Sequence, residues 1–416
     1  MQRYDTYKDS GVQWLGEIPS HWEMIKSKYL WKESFSISEN GNEELLSVSQ
    51  YDGITPAKGD SRSESLKGYK IVSENDLVIN IMLAWMGGLG VSKYDGIVSP
   101  AYCVYKLTND SNPKYLHYLY KTPLYLAEFA RHSTGVIPSR WRMYTDDFGQ
   151  VVSLLPPRKE QDAIVEYLDE KMAKIDAAIA QQQKMIDLLN ERKQIIINRA
   201  VTKGLNPNAK MKDSGVEWIG EIPDGWFFLP GKSLYHENKV KNKNNEETNV
   251  LSLSYGKIIR KKELVEGLQP ENYNSYQIVE PNYIIIRCTD LQNDHTSLRI
   301  GLVKERGIIT GAYLGLIPHG NIIPSYLHLF LHVFDITKEI YRYGSGTRQS
   351  LNWVDFKNLP ILIPSPEEQE SICKYVNDIE AKINKQVFIA SNQISLLQER
   401  KQIIINEVVT GKIKVV

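Results

Sequence analysis

At 416 residues, with 42 % hydrophobic and 24 % charged side chains, the chain has an ordinary globular composition and room for two or three domains. Its 50 basic and 50 acidic residues cancel, which argues against nucleic-acid binding by bulk charge and leaves local patches open. Three cysteines (Cys103, Cys288, Cys373) without C-x-x-C spacing argue against a zinc or disulfide framework and predict buried reduced thiols in a cytoplasmic protein, and the most apolar stretch, Leu77 to Val91, is too short to span a membrane.

Met1 leads straight into polar residues, so no signal peptide is expected. The first feature is a border motif, Lys8-Asp9-Ser10-Gly11-Val12-x-Trp14-x-Gly16-Glu17-Ile18-Pro19, closed by Trp22. Its tryptophans read as core packing or as anchors on a neighbouring surface. A mixed middle follows, with β-like runs at Leu45 to Ser49, Leu77 to Met82 and Ile97 to Tyr105, then a helical pattern from Pro113 to Arg131. Leu155-Pro156-Pro157-Arg158 reads as a strand end and a helix start. From Gln161 to Ala200 apolar residues alternate in steps of four and three, including Leu168, Ile175, Ile179, Ile186 and Leu189, with Gln182 and Lys193 in polar slots. No Gly or Pro interrupts them, so the segment predicts a coiled-coil helix about 60 Å long.

The chain then starts again. The border motif returns at Lys212 to Pro223, ending in Trp226, after a shift of 204. A second middle has β-like runs at Val250 to Ser254, Tyr283 to Arg287 and Gly307 to Ile317, then a helical pattern from Pro324 to Tyr341. A second seam runs through Val376, Ile383, Val387, Ile394 and Leu397, with Glu380 and Lys401 polar. Glu191-Arg192-Lys193-Gln194-Ile195-Ile196-Ile197-Asn198 recurs letter for letter at Glu399 to Asn406, a shift of 208. A unit of about 200 residues is a domain-sized duplication, so one frame encloses two divergent middles. The expected fold is α+β, with two α/β domains and two long helices paired as an antiparallel coiled coil in a pseudo-twofold repeat. The expected segments are 1–158, 159–204, 205–364 and 365–416.

Catalytic signatures are missing. No N-P-P-Y-type loop, phosphate-binding G-x-x-x-x-G-K-[S/T] or histidine pattern of the H-E-x-x-H kind is present, so no catalysis and no metal site are expected. Binding features are better represented. Arg131, Ser139, Arg140 and Arg142 gather around Gly135 to Arg142 in the first middle, with Lys58 and Arg62 upstream. In the second middle the counterparts are Arg342, Thr347, Arg348, Gln349 and Asn352, and a basic run Lys257, Arg260, Lys261 and Lys262 follows a predicted strand. Arg, Gln, Asn and Ser are the side chains that hold phosphates or read base edges; taken singly, each also fits a solvated loop.

The border motifs, the helix entrances Leu155-Pro156-Pro157-x-x-Glu160-Gln161 and Ile363-Pro364-Ser365-Pro366-x-Glu368-Gln369, and the repeated helix ends resemble the DNA-specificity subunits of type I restriction–modification enzymes. Ser365 departs from the pattern at the position of Pro157. The resemblance implies that each middle is a target-recognition domain reading one half of a bipartite site in double-stranded DNA. It implies that the helices set the spacer and dock methyltransferase subunits, two of them, with restriction–translocase subunits beyond. S-adenosylmethionine, ATP and Mg would then belong to those partners, and no cofactor to this chain. Two other readings compete: a standalone DNA-modification enzyme, and a coiled-coil adaptor with two lectin-like or peptide-binding heads.

Overall fold

The structure, a computed structural model, describes residues 2–50, 53–57, 65–137, 140–261, 272–289, 291, 298–343 and 350–415. The chain divides into two compact units, Met1–Gln183 with Asn392–Val416, and Lys184–Ser391. Both divisions fall inside a long helix. Each unit therefore takes one middle, its border motif and part of each long helix, which regroups the four linear segments expected from sequence.

In the first unit, helices α1 (Pro113–Tyr120), α2 (Pro123–Arg131) and α3 (Thr145–Gln150) precede the start of α4 (Arg158–Lys203). The single helix expected over Pro113 to Arg131 is two. Pro123 cannot donate a backbone N–H, and Thr122 caps the second helix by accepting from the Tyr125 N–H. An antiparallel sheet runs in the order Trp31–Ser34, Tyr102–Leu107, Leu77–Asn80, Leu89–Val91. Its two faces feed different cores. Leu77, Ile79 and Tyr105 pack with Leu116, Tyr120 and Phe129 of the helices, while Val78 and Val104 pack with Leu46, Val48 and Val98. Burial on both faces explains why these strands read as continuous apolar runs. The expected strand Ile97 to Tyr105 is also two, because Gly96–Val98 pairs with Lys70–Val72 while Tyr102–Leu107 joins the sheet.

The second unit repeats this topology. Tyr235–Glu237, Leu314–Pro318, Ile284–Ile286 and Ile300–Leu302 form the sheet in that order, and α5 (Pro324–Ile336) covers it. Gly307 to Ile317 likewise splits into Gly307–Ile309 and Leu314–Pro318. The helical pattern of Pro324 to Tyr341 stops at Ile336, where Lys338 adopts a left-handed conformation, φ 67°. A short α6 (Trp353–Lys357) then leads to α7 (Pro366–Val409).

Each middle is closed by pairing its first strand with its last: Glu23–Lys26 with Val152–Leu155, and Phe227–Pro230 with Pro360–Ile363. That pairing brings the border motif to the helix entrance, where the shared Glu-Gln dipeptide acts. Glu160 accepts from Trp22 Nε1 (3.1 Å) and the Tyr4 hydroxyl (2.5 Å), with His21 Nε2 at 2.8 Å, and Glu368 accepts from Trp226 Nε1 (3.2 Å). Gln161 accepts from the Asn112 N–H and donates to Pro156 O; Gln369 does the same with Ile323 and Pro364. Trp22 and Trp226 are buried, and Trp14 and Trp218 lie against Tyr125 and Phe330, so all four pack into the cores.

Within each unit the long-helix segments run antiparallel. In the first, the Tyr115 hydroxyl of α1 bridges Leu154 O, just before α4, and Val409 O at the end of α7, while farther along α4 Asp176 pairs with Lys401 at 2.7 Å. In the second, Ile197, Ala200 and Val201 share a core with Ile372, Cys373 and Val376. Of the seam positions, Leu168, Val376 and Ile383 are buried, and Ile175, Ile179, Ile186, Leu189, Val387, Ile394 and Leu397 are half-buried, as a two-stranded seam with open flanks requires. Each helix ends beside a border motif on a glycine in the left-handed region. A Cβ on Gly411 (φ 75°) would lie 2.4 Å from Pro19, and one on Gly204 (φ 73°) 3.2 Å from Trp226.

Candidate nucleic-acid interface

A polyanion is bound by cations that the protein has not already neutralised, so the predicted residues sort by their partners. Arg131 donates to both oxygens of Glu128 (2.8 and 2.6 Å). Burial of Glu128 opposes its ionisation, but the contacts with Arg131 and His132 outweigh it and hold the carboxyl below its usual range. Arg260 is held by Glu305 (2.8 and 2.5 Å), and Arg342 by Glu217 (3.2 Å) and Glu339 (3.3 Å). By contrast, among the described residues no carboxylate forms an ion pair with Arg140, Arg142, Lys257 or Lys261. Asn352 caps α6, its side-chain oxygen accepting from the Val354 N–H at 2.7 Å. Lys58, Arg62, Ser139, Lys262, Thr347, Arg348 and Gln349 lie outside the described residues.

The structure brings Arg140 and Arg142 together on one closed loop. Thr134 and Arg142 exchange two backbone hydrogen bonds of 2.9 Å, and the Arg140 N–H donates to Ile137 O at 2.8 Å. Gly135 permits the closure, since a Cβ there would sit 2.6 Å from the Arg140 carbonyl oxygen. Trp141 packs edge-on against Trp85 at 5.4 Å, and the Met143 N–H donates to Ile81 O, so the base of the loop is fastened to the core. In the second unit the basic run is part of a hairpin rather than a loop following a strand: Lys257–Arg260 pairs with Leu251–Ser254 across a turn with Tyr255 and Gly256 at positive φ.

One class of residue was missed from sequence. Leu188 and Ile195 on α4 are 55 % and 60 % exposed, and Leu396 and Ile403 on α7 are 63 % and 48 % exposed. Each pair is seven residues apart, so it lies on one helix face beside the seam. The available signal was an apolar residue off the heptad positions and repeated at the shift of 208. Among the described residues no helix is long and apolar enough to cross a membrane.

Comparison with known proteins agrees with this architecture. The profile of the type I restriction modification DNA specificity domain matches residues 236–389. The chain is 25 % identical to the type I restriction enzyme MjaVIII specificity subunit of Methanocaldococcus jannaschii, over 83 % of this chain and 80 % of that one. It is 21 % identical to the putative MjaX specificity subunit of the same organism, over 96 % of both chains. A chain solved in work on complex assembly and conformational transition of the type I R-M system shares the fold, with a TM-score of 0.67 at 13 % identity, over 94 % of this chain and 98 % of that one.

Proposed function

From the likeness to specificity subunits of type I restriction–modification systems, we propose that the chain is the DNA-reading and non-catalytic member of such a complex. Each middle reads one half of a bipartite site in duplex DNA, and the long helices set the spacer and dock the methyltransferase subunits. Methyl transfer, ATP use and cleavage belong to those partners and to restriction–translocase subunits.

The observation that carries this reading is the contrast between a repeated frame and divergent middles. Leu188 with Ile195 and Leu396 with Ile403 present the same apolar pair twice, flanked by the same Glu-Arg-Lys-Gln sequence, which suits two copies of one partner. The middles share a topology but differ in the groups they expose: in one, Arg140 and Arg142, with which no carboxylate among the described residues forms an ion pair, and in the other a hairpin with Lys257 and Lys261. Different half-sites call for different readers.

Replacing residues 227–362 with the middle of a relative tests the reading. Sequencing of methylated DNA should show one half of the recognised site changed and the other kept. A change in both halves, or robust methylation by the chain purified without partner subunits, would overturn it.

A further inference from the structure

The loop that carries Arg140 and Arg142 also exposes two aliphatic side chains. Val136 is 96 % exposed and Ile137 48 %. Single exposed apolar residues are ordinary, but an adjacent β-branched pair on a loop fastened at its base is not explained by the fold. The rest of the loop is secured at its base by the Thr134–Arg142 hydrogen bonds, by the Trp85–Trp141 contact and by the close approach that Gly135 permits. The result is a finger fastened at its base, with an exposed apolar pair and two arginines that no described carboxylate neutralises.

We propose that Val136 and Ile137 form a wedge that parts a base step in the half-site read by the first unit, with Arg140 and Arg142 holding the flanking phosphates. This inference rests on the DNA-reading function proposed above and specifies how one reader works. Aliphatic side chains have no donor or acceptor with which to read a base edge. What they can do against DNA is fill the gap left by an opened stack, and burying both of them offsets the cost of opening it. The arginines commit the finger to a polyanion. A wedge also selects sequence without base contacts: pyrimidine–purine steps such as TA open most easily, so the first unit prefers such a step where the finger enters.

The test uses the intact chain with its methyltransferase subunits and duplexes carrying the site read from the host's methylated DNA. 2-Aminopurine is placed in turn at each step of the half-site assigned to the first unit, except at the base that is methylated, which a methyltransferase itself extrudes, and its fluorescence reports unstacking. The wild-type complex should brighten one step several-fold. Val136→Ser with Ile137→Ser, both on the surface and expected to leave thermal melting unchanged, should abolish the brightening and weaken binding by about ten-fold or more. Val136→Leu with Ile137→Leu should restore both. Arg140→Gln with Arg142→Gln should weaken binding to every sequence and flatten its salt dependence. Tight specific binding without brightening at any step, or brightening that survives the serine pair, overturns the wedge and leaves the DNA-reading function standing. Loss of methyltransferase subunits from the serine variant would make the loop a protein contact and overturn it equally. A wild-type complex that binds no DNA specifically overturns the function itself.

Discussion

Glu160 collects three donors, Tyr4, His21 and Trp22, at the point where the border motif meets α4. Glu160→Ala leaves the buried Trp22 indole N–H without an acceptor, at a cost of about 1–3 kcal/mol, whereas Glu160→Gln keeps an acceptor oxygen and should cost less. Urea unfolding midpoints of the two variants should fall in that order. The Lys401–Asp176 pair makes a contrasting case, because Asp176 is 54 % exposed and such pairs contribute less than about 1 kcal/mol. A second residue-scale expectation concerns pH. His117 and His328 occupy equivalent positions, four residues after Pro113 and Pro324, and burial pushes both down to about 4, helped by Lys121 beside His117 and by His332 beside His328. The folded state therefore keeps these rings neutral, and the unfolded chain takes up the protons first. Their contribution is present above about pH 6.5 and is lost as pH falls towards 4, at about 1.4 kcal/mol per pH unit for each ring. Melting temperature should drop between pH 7 and 5, and His117→Gln, which can still accept from the Val91 N–H, should reduce that slope.

At the scale of elements, the heptads made the two long helices legible because a seam repeats over many residues and few other patterns imitate it. The sheet strands were found but run together. Ile97 to Tyr105 and Gly307 to Ile317 are continuous in hydrophobicity because both faces are buried, and only the pairing partners show that each is two strands. The site was less legible: sequence shows that Arg131, Arg140 and Arg260 are basic, but which are already paired depends on Glu128 and Glu305, and the second of those comes from a distant segment. The helices also carry a prediction. Four residues inserted into α4 alone put its downstream seam out of step with α7, exposing Leu- and Ile-sized side chains worth roughly 1.5–3 kcal/mol each. Insertions that lengthen α4 and α7 together by a turn in register should keep the fold and add about 5.4 Å, one to two base pairs of duplex. Sequencing the methylated sites should then show a spacer longer by one or two base pairs with both half-sites unchanged; an unchanged spacer in an active variant would show that the helices do not set it.

At the scale of the whole molecule, the two units differ in how the chain supplies them. The second is one uninterrupted stretch, Lys184–Ser391, while the first is assembled from both ends. The Lys414 N–H donates to Gln2 O at 2.9 Å, the Tyr7 hydroxyl reaches Gly411 O at 3.0 Å, and Ile404, Ile405, Val408, Val409 and Ile413 complete the first unit's core. A chain shortened to residues 1–391 loses those five side chains. At roughly 1.5–3 kcal/mol each, they match the whole stability of a typical domain. Limited proteolysis should therefore cut the truncated chain throughout residues 2–183 and spare 184–391; equal protection of both would contradict the assignment. The same arrangement fixes an order of events on the ribosome. The half made first is finished last: its core stays open while the second half is synthesised and folds, and it closes only when the final turns of α7 emerge. A premature stop just after the codon for Ser391 would thus damage the unit encoded upstream and leave its downstream twin intact.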